Sequence, residues 1–179
     1  MDIRLKKIQA HELELFRREM QRSFTQGVIE RFGTPDDAPI PSVNDLDEAL
    51  DSAACDVFII TADGSAAGGT IIKRLRDKKY SLELLFIFKD FLNKKIGSAA
   101  WEAIEKHYSD AEVWETCTPY FDRRNIHFYV NKCQFTIVEF FCEAHSEEHA
   151  MTEEFRDINA SGFFRFEKVM QQNSRKNLP

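Results

Sequence analysis

The chain has 179 residues, of which 43% are hydrophobic and 12% aromatic, and its formal net charge is −6. This length fits one ordinary domain, and the apolar content is sufficient for a sizeable core. The acidic balance disfavours a nucleic-acid-binding protein, which needs a basic surface, and no stretch is apolar over the roughly 20 residues that a membrane span requires.

The N-terminal segment predicts a strand, a helix and a loop. Apolar and charged residues alternate from Ile3 to Ile8, and apolar residues recur at intervals of three and four from His11 to Phe32. Prolines at residues 33–41 predict a loop, and residues 42–50 predict a short capped helix. Since no apolar targeting segment precedes the first strand, we expect a cytoplasmic protein.

Three strands are predicted next. Residues 56–61 are rich in β-branched side chains, Asp63–Gly64 predicts a tight turn, and residues 69–75 resume the strand pattern. After a second turn, Ser81–Phe88 is apolar on both faces, which is typical of a central strand in a covered sheet. Strict alternation would put two residues on one face, Leu85 and Ile87, and four on the other: Leu82, Leu84, Phe86 and Phe88.

The C-terminal half alternates helices and strands. Helical spacing covers residues 94–108, with a stripe that includes Ile96, Ala100, Ala103, Ile104 and His107. The remaining elements are expected at residues 112–117 (strand), 123–132 (helix), 135–142 (strand), 151–158 (helical turn) and 163–170 (strand). With no internal repeat or boundary, we expect residues 1–179 to form a single mixed α/β domain with a polar tail from about residue 171.

Neither disulfides nor a metal site is expected. The cysteines lie in or beside apolar runs and form no CxxC pair, which predicts reduced, buried structural thiols at Cys55, Cys117, Cys133 and Cys142. Residues 145–149 contain two histidines four apart, but in an acidic stretch typical of a solvated loop. A thiol nucleophile formed by Cys117 or Cys133 with His127 is a weaker alternative.

A strand–turn–helix segment is the strongest sign of chemistry. The strand 81–88 leads through a turn into a helix, and the N–H groups at a helix start have no partners while the helix dipole adds positive potential. A glycine lets a ligand approach the backbone closely, and lysines add cationic donors. These features predict a phosphate-binding turn formed by Asn93, Lys94, Lys95, Ile96, Gly97 and Ser98.

This turn resembles the coenzyme-A-binding motif of the GNAT acetyltransferases, in which Q/R-x-x-G-x-G/A joins a strand to a helix. Leu92 replaces the Gln/Arg and Lys95 replaces the first Gly, whereas Gly97 matches the second. The departures put pyrophosphate binding in question, and the charge of Lys95 would compensate. The order of predicted elements is similar to the superfamily from residue 3 to residue 170.

A second resemblance lies downstream. Residues 125–135 resemble the family segment in which an Asn precedes a Phe–Tyr pair and then Gly–Phe, with Gln134 in place of the Gly. The family implies that Asn125 contacts the coenzyme and that Tyr129 protonates the departing thiolate. Their spacing of four puts both on one helical face. The alternative is that Tyr129 is a core aromatic and Asn125 a helix cap.

The resemblance implies a fold and a mechanism. The fold is a central, mixed, mostly antiparallel sheet of about seven strands with a splayed parallel pair, strands 81–88 and 112–117, and helices on both faces. The pantetheine arm would pair with the backbone of Phe86, Ile87 and Phe88. Glu83 would be the base, because burial on an apolar strand would raise its pKa toward the working range.

These features predict transfer of an acetyl group from acetyl-CoA, as co-substrate, to a primary amine of an unidentified acceptor, with no metal. One alternative is a GNAT-fold domain that binds coenzyme A or a metabolite without transfer. Another is an unrelated α+β interaction module in which strands 135–142 and 163–170 form a dimer surface. A homodimer remains open under each.

Overall fold

The computed structural model describes residues 1–32, 47, 52–92, 94–142, 144–145 and 162–171. Within them lie seven strands and three α-helices. The strands are β1 (Ile3–Lys7), β2 (Cys55–Ala62), β3 (Ser65–Arg74), β4 (Lys79–Ile87), β5 (Val113–Pro119), β6 (Thr136–Phe141) and β7 (Phe163–Val169). The helices are α1 (Leu13–Phe32), α2 (Ile96–His107) and α3 (Arg123–Asn131).

The predicted order of elements is confirmed, and the largest error in a boundary is at β3, which begins at Ser65 rather than Gly69. The turn at Asp63–Gly64 is also confirmed. Both residues have positive φ, 49° and 85°, as a two-residue hairpin turn requires. The predicted loop at 33–41, the helical turn at 151–158 and the tail beyond residue 171 lie outside the described residues. The predicted helix at 42–50 does as well, except for Asp47, which is helical.

One sheet contains all seven strands, in the order β1-β2-β3-β4-β5-β7-β6. Every neighbouring pair is antiparallel except β4 and β5, which run parallel. The prediction of a mixed, mostly antiparallel sheet with one parallel pair is therefore confirmed. The parallel pair lies at the centre, and α2 makes the crossover connection between its strands.

Helices cover both faces of the sheet. On one, the α1 face, Phe16 and Met20 pack against strand residues that include Leu84 and Phe86. On the other, the α2 face, the core contains Trp101 and Ile104 of α2, Tyr129 of α3, and four strand residues, Ile72, Leu82, Trp114 and Phe166. Of the predicted α2 stripe, Ile96, Ala100 and Ile104 are buried, whereas His107 is exposed.

A β-bulge at Glu83 changes the facing of β4. Ile71 pairs with Leu84 and Ile72 pairs with Leu82, so Glu83 is the extra residue on the bulged strand. As a result Leu82 lies on the α2 face with Leu85, while Leu84 and Phe86 lie on the α1 face. The prediction that Leu82 shares a face with Leu84 is wrong, because strict alternation does not anticipate the inserted residue.

Asp56 is the centre of a polar cluster at the end of the sheet where β2 begins. Its buried carboxylate pairs with Lys7 and Arg74 and accepts a hydrogen bond of 2.9 Å from the Tyr108 hydroxyl. Burial acts to raise the pKa of Asp56, but the hydrogen bonds from Lys7, Tyr108 and Arg74 outweigh it and hold the pKa below its ordinary value. The charged form is thus stabilised by folding.

We expect Asp56→Asn to lower the free energy of unfolding at pH 7 by about 1–3 kcal/mol, as loss of a buried charged acceptor usually does. Because the pKa of Asp56 is lower in the folded protein than in the unfolded chain, the ionised carboxylate stabilises the fold above about pH 4. This stabilisation is lost as the pH falls through the folded-state pKa. Urea denaturation should therefore show a smaller difference between wild type and variant at pH 3 than at pH 7. Tyr108→Phe removes one of the three donors to Asp56 and should give a smaller loss that also shrinks toward pH 3. Equal Asp56→Asn differences at both pH values would contradict the account.

The four cysteines are free thiols, as predicted. Cys133 is buried, and Cys55 and Cys142 are half-buried, but Cys117 is exposed, so its predicted burial is wrong. The error arises because β5 turns this side chain away from the α2 face. Across the described residues, no helix combines the length and apolar character needed to cross a membrane.

Candidate active site

A gap opens between the two parallel strands. β4 and β5 pair at three positions, Lys79 with Val113, Tyr80 with Trp114, and Ser81 with Glu115. β4 continues to Ile87 and β5 to Pro119 without further pairing to each other. The strands thus splay apart beyond Ser81, as predicted, and the closed end of the gap lies at this last pair.

Two residues of β4 present their backbone to the gap. The Phe88 N–H donates to the carbonyl oxygen of Ala67 on β3 at 2.8 Å. Backbone bonding alternates along an antiparallel pair, so Phe86 also bonds toward β3, whereas Leu85 and Ile87 bond toward the other side. The predicted backbone site is therefore corrected: Ile87 faces the gap with Leu85, and Phe86 and Phe88 do not.

The side chains of these residues line the core rather than the gap. Phe86 is buried against Phe16, with ring centroids 5.2 Å apart, and Phe88 packs beside it on the α1 face. Ile87 packs on the opposite side with Ala67 and Ile96. The strand end is thus anchored on both faces, which holds its free backbone groups in place.

The turn before α2 presents unpaired N–H groups at the open end of the gap. Lys95 precedes the helix with φ 60°, and its side chain makes no capping hydrogen bond. The first intrahelical bond is donated by Ala99 to the Lys95 carbonyl at 3.1 Å, so the N–H groups of Ile96, Gly97 and Ser98 have no intrahelical acceptor. Their geometry suits an anion, and the helix dipole favours one.

The remaining predicted residues of this turn surround the same position. Lys94 and Lys95 are exposed, with the Lys94 Nζ 5.3 Å from the Phe91 ring centroid. Gly97 lies against α3, because a Cβ there would be 3.3 Å from the Phe128 ring and 4.0 Å from Ile87. Asn93 lies outside the described residues.

Lys95 adopts the left-handed backbone that glycine adopts readily, at a cost of about 1–2 kcal/mol for other residues. We expect Lys95→Gly to raise the free energy of unfolding by about 0.5–1 kcal/mol, since part of this gain is offset by glycine's freedom in the unfolded chain. Thermal denaturation measures the change. Lys95→Ala is the control, because it removes the same charge but keeps the strain; a Lys95→Gly protein less stable than Lys95→Ala would contradict the expectation.

Tyr129 lies in the core of the α2 face, against the Phe166 that pairs with Thr116 of β5. It is buried on the α2 face, with its ring centroid 5.5 Å from Phe166 and 5.8 Å from Phe135. Burial raises the pKa of Tyr129 well above its ordinary value, and a hydrogen bond with the Thr116 side chain acts in the opposite direction. Tyr129 is thus a core aromatic whose hydroxyl interacts with one residue of β5, Thr116.

Asn125 lies one turn before Tyr129 on α3 and is half-buried. It is not the helix cap, because Asp122 occupies that position and its Oδ1 accepts a hydrogen bond of 2.9 Å from the Asn125 N–H. The pattern of an Asp three residues before Asn125 is a common N-cap signal that the sequence analysis missed. The Asn125 side chain faces the same side of α3 as Tyr129.

Glu83 lies on β4 two residues beyond its last pair with β5. The expectation that its side chain is desolvated is wrong, because Glu83 is exposed. The bulge places Glu83 beside the α1 face, where its charge is close enough to Cys55 to act on the pKa of that thiol. An exposed carboxylate here is accessible to an incoming cation.

The thiol alternative is not supported by the arrangement. Cys133 is buried, and burial raises the pKa of its thiol to about 12. The His127 ring is exposed and hydrogen-bonds with Asn131 at 3.0 Å. Among the described residues no group of three or more His, Cys, Asp and Glu could hold a metal ion, and His149 lies outside them.

The splayed strands and the unpaired helix start meet the family expectation, and comparisons with known proteins agree. The family model described as "Acetyltransferase (GNAT) family" matches residues 14–135. The chain belongs to the GNAT acetyltransferase family. It is also 41% identical over 166 residues to the uncharacterized protein YrkN of Bacillus subtilis, with 90% of each chain covered.

Solved GNAT structures share the fold. The ribosomal-protein-S18-alanine N-acetyltransferase of Escherichia coli superposes with a TM-score of 0.68 at 12% identity, over 99% of each chain. A Bacillus subtilis acetyltransferase in complex with CoA superposes with a TM-score of 0.62 at 18% identity, over 94% of this chain and 97% of that one. The predicted fold class is confirmed.

Proposed function

We propose that this GNAT protein transfers an acetyl group from acetyl-CoA to a primary amine by direct attack. The observation that carries the proposal is that the gap between β4 and β5 and the unpaired N–H groups at the start of α2 lie at the same end of the sheet. Coenzyme A has a diphosphate and an extended arm, which match these two features. The CoA-bound acetyltransferase of the same fold supports this choice of ligand.

The backbone facing the gap defines where the arm lies. Leu85 and Ile87 offer N–H and C=O groups that β5 leaves unpaired, and an amide-containing arm can bond with them as an added strand does. The thioester then lies toward the closed end, near Tyr129. The diphosphate binds the N–H groups of Ile96, Gly97 and Ser98, with Lys94 and Lys95 in the same turn and Asn125 on the facing helix.

Each reacting group has a candidate partner. The acceptor enters as an ammonium and must lose a proton before attack, which Glu83 accepts from the α1 face. Tyr129 donates its proton to the departing thiolate at the closed end. Neither step needs a metal. In support, Glu83 lies two residues beyond the last paired position of β4 and β5, and the Tyr129 hydroxyl interacts with the side chain of Thr116, the first residue of β5 beyond that position.

Glu83→Gln should lower kcat/KM at pH 7 about 100-fold, at the lower end of the range for loss of a general base. The loss should shrink as the pH approaches the pKa of the acceptor ammonium, since the free amine needs no base. Rate measurements from pH 7 to pH 10 test this, with exposed Glu102→Gln on α2 as the control. A loss that is the same at every pH would remove Glu83 from the role of base.

The transfer itself is tested by calorimetry with acetyl-CoA and an acetylation assay on a panel of amines, polyamines, amino acids and peptide N-termini. The proposal expects micromolar binding and acetylation of at least one primary amine, and slower reaction of matched secondary amines. Binding without turnover would support the alternative of a coenzyme- or metabolite-binding domain. Absence of binding would contradict both.

A further inference from the structure

Two buried threonines bond to the backbone of β4 on either side of Glu83. The Oγ1 of Thr70, on β3, donates to the carbonyl oxygen of Leu84 at 2.7 Å. The Oγ1 of Thr116, on β5, donates to the carbonyl oxygen of Leu82 at 2.8 Å. The carbonyls that flank Glu83 are thus each held by a hydroxyl, one from each neighbouring strand.

Both hydroxyls reach β4 from the α2 face. Thr70 pairs with Leu85 and Thr116 pairs with Phe166, and these two partners pack in or against the α2-face core. Residues directly opposite each other in an antiparallel pair have their side chains on the same face. The Glu83 side chain, in contrast, is exposed. The backbone beside Glu83 is therefore held from within the core, while its carboxylate stays accessible.

The two hydrogen bonds mark the place where the bulge redirects the strand. Glu83 is the extra residue on β4, opposite the pair Ile71 and Ile72 of β3. In a regular strand, residues two apart direct their carbonyls to the same side, but here the Leu82 carbonyl is bonded from β5 and the Leu84 carbonyl from β3. A bulge disrupts the backbone ladder locally, and buried carbonyls beside it need donors, which the two hydroxyls supply.

We propose that Thr70 and Thr116 are positioning residues for acetyl transfer, whose hydroxyls fix the bulge and so hold Glu83 toward the acceptor. The inference rests on the proposed function, because it needs Glu83 to act as the base. Each threonine acts through the backbone beside Glu83 and does not touch the reacting atoms. A shift of the bulge by one residue would turn Glu83 to the opposite face, away from the acceptor.

The pH dependence of threonine variants tests the proposal, with acetyl-CoA and the fastest amine of the panel. Thr70→Val and Thr116→Val each remove one hydroxyl at nearly constant shape and should lower kcat/KM at pH 7 about tenfold, the effect of one lost hydrogen bond. The loss should shrink toward pH 10, as for Glu83→Gln, because the free amine needs no base. In a Glu83→Gln background neither substitution should cause a further loss.

Two kinds of control accompany these variants. Thr70→Ser and Thr116→Ser keep the hydroxyl and should recover most of the wild-type kcat/KM. Thr61→Val is the matched control, because the Thr61 Oγ1 also donates to a carbonyl of a neighbouring strand, that of Arg4 on β1, at 3.4 Å. Neither β1 nor β2 adjoins β4 in the sheet, so this variant should have the kcat/KM of wild type.

An unchanged kcat/KM in both Val variants would overturn the proposal. So would a loss that is the same at every pH, or the same with Glu83 and with Gln at this position, which a purely structural role gives. Thr70→Ala or Thr116→Ala replaces a Val variant that does not fold, and circular dichroism at the assay temperature confirms the fold of each protein. If wild type binds acetyl-CoA but acetylates no amine, the transferase proposal itself fails; if it acetylates an amine and both Val variants match it, only the role of the threonines fails.

Discussion

Tyr129→Phe should lower kcat about 100-fold while leaving the affinity for acetyl-CoA within about threefold of wild type. Loss of a general acid typically costs two to four orders of magnitude in rate. The Tyr129 hydroxyl interacts with Thr116, which follows the last pair of β4 and β5, whereas the proposed diphosphate site lies at the start of α2. The chemistry and the binding are therefore separable. Steady-state kinetics and calorimetry measure the two effects.

The control for this variant is Tyr120→Phe, because Tyr120 is 40% exposed and lies outside the α2-face core. It should leave kcat unchanged. The ring of Tyr129 remains in the Phe variant, so the packing against Phe166 is kept and a large loss of stability is not expected. A kcat equal to that of wild type would mean that Tyr129 is not the acid and is only a core aromatic.

Gly97→Asp should weaken acetyl-CoA binding at least 100-fold. A carboxylate at the second helical position would accept the N–H groups that we assign to the diphosphate and would repel its charge. The same carboxylate is favourable for an empty helix start, so we expect the variant to fold. Calorimetry with acetyl-CoA and thermal denaturation separate these two effects.

Gly97→Asn is the matched control, since it has the shape of the Asp variant without its charge. Both side chains must displace the Phe128 ring, which would lie 3.3 Å from the new Cβ. The Asn variant should therefore retain more affinity than the Asp variant, by about tenfold or more, as expected for a charge effect in a partly buried site. If the Asp and Asn variants bind acetyl-CoA with equal, reduced affinity, the main role of Gly97 is to make room for Phe128. If both variants bind as tightly as wild type, the diphosphate does not bind at this turn.

Periodicity in the sequence predicted most of the fold because the spacing of apolar residues differs between helices and strands, and turn residues separate the elements. It failed on β4, where the bulge at Glu83 inserts a residue and moves Leu82 to the other face. A bulge is defined by pairing with β3, and strict alternation within β4 carries no sign of it. The exposure of Glu83 and of Cys117 was missed for the same reason, because the face of the sheet on which a side chain lies depends on how its strand pairs with its neighbours.

The departures from the family motif have a simple physical meaning in the structure. Lys95 and Gln134 each replace a glycine of the family pattern, and both adopt positive φ, 60° and 64°. The backbone path of the glycine is thus kept, at some conformational cost, while the side chain changes. The resemblance thus extends to the backbone of the turn, although two of its three signature positions differ.

The candidate site was only partly accessible from the sequence. The turn at Gly97 and the spacing of Asn125 and Tyr129 involve residues close together in the chain, and such local patterns can be recognised in a sequence. The hydrogen bond from Thr116 to the Leu82 carbonyl was not predicted, because it crosses from β5 to β4 and depends on how the two strands lie. The same holds for Leu85, whose backbone faces the gap only because β3 and β5 lie on opposite sides of β4.

The most direct test is a crystal structure of the protein with acetyl-CoA. The account predicts the arm between β4 and β5, hydrogen-bonded to the backbone of Leu85 and Ile87, with the diphosphate on the N–H groups of Ile96, Gly97 and Ser98 and the sulfur beside the Tyr129 hydroxyl. Acetyl-CoA bound elsewhere, or β4 and β5 paired along their whole length with the start of α2 capped by the protein's own side chains, would contradict it.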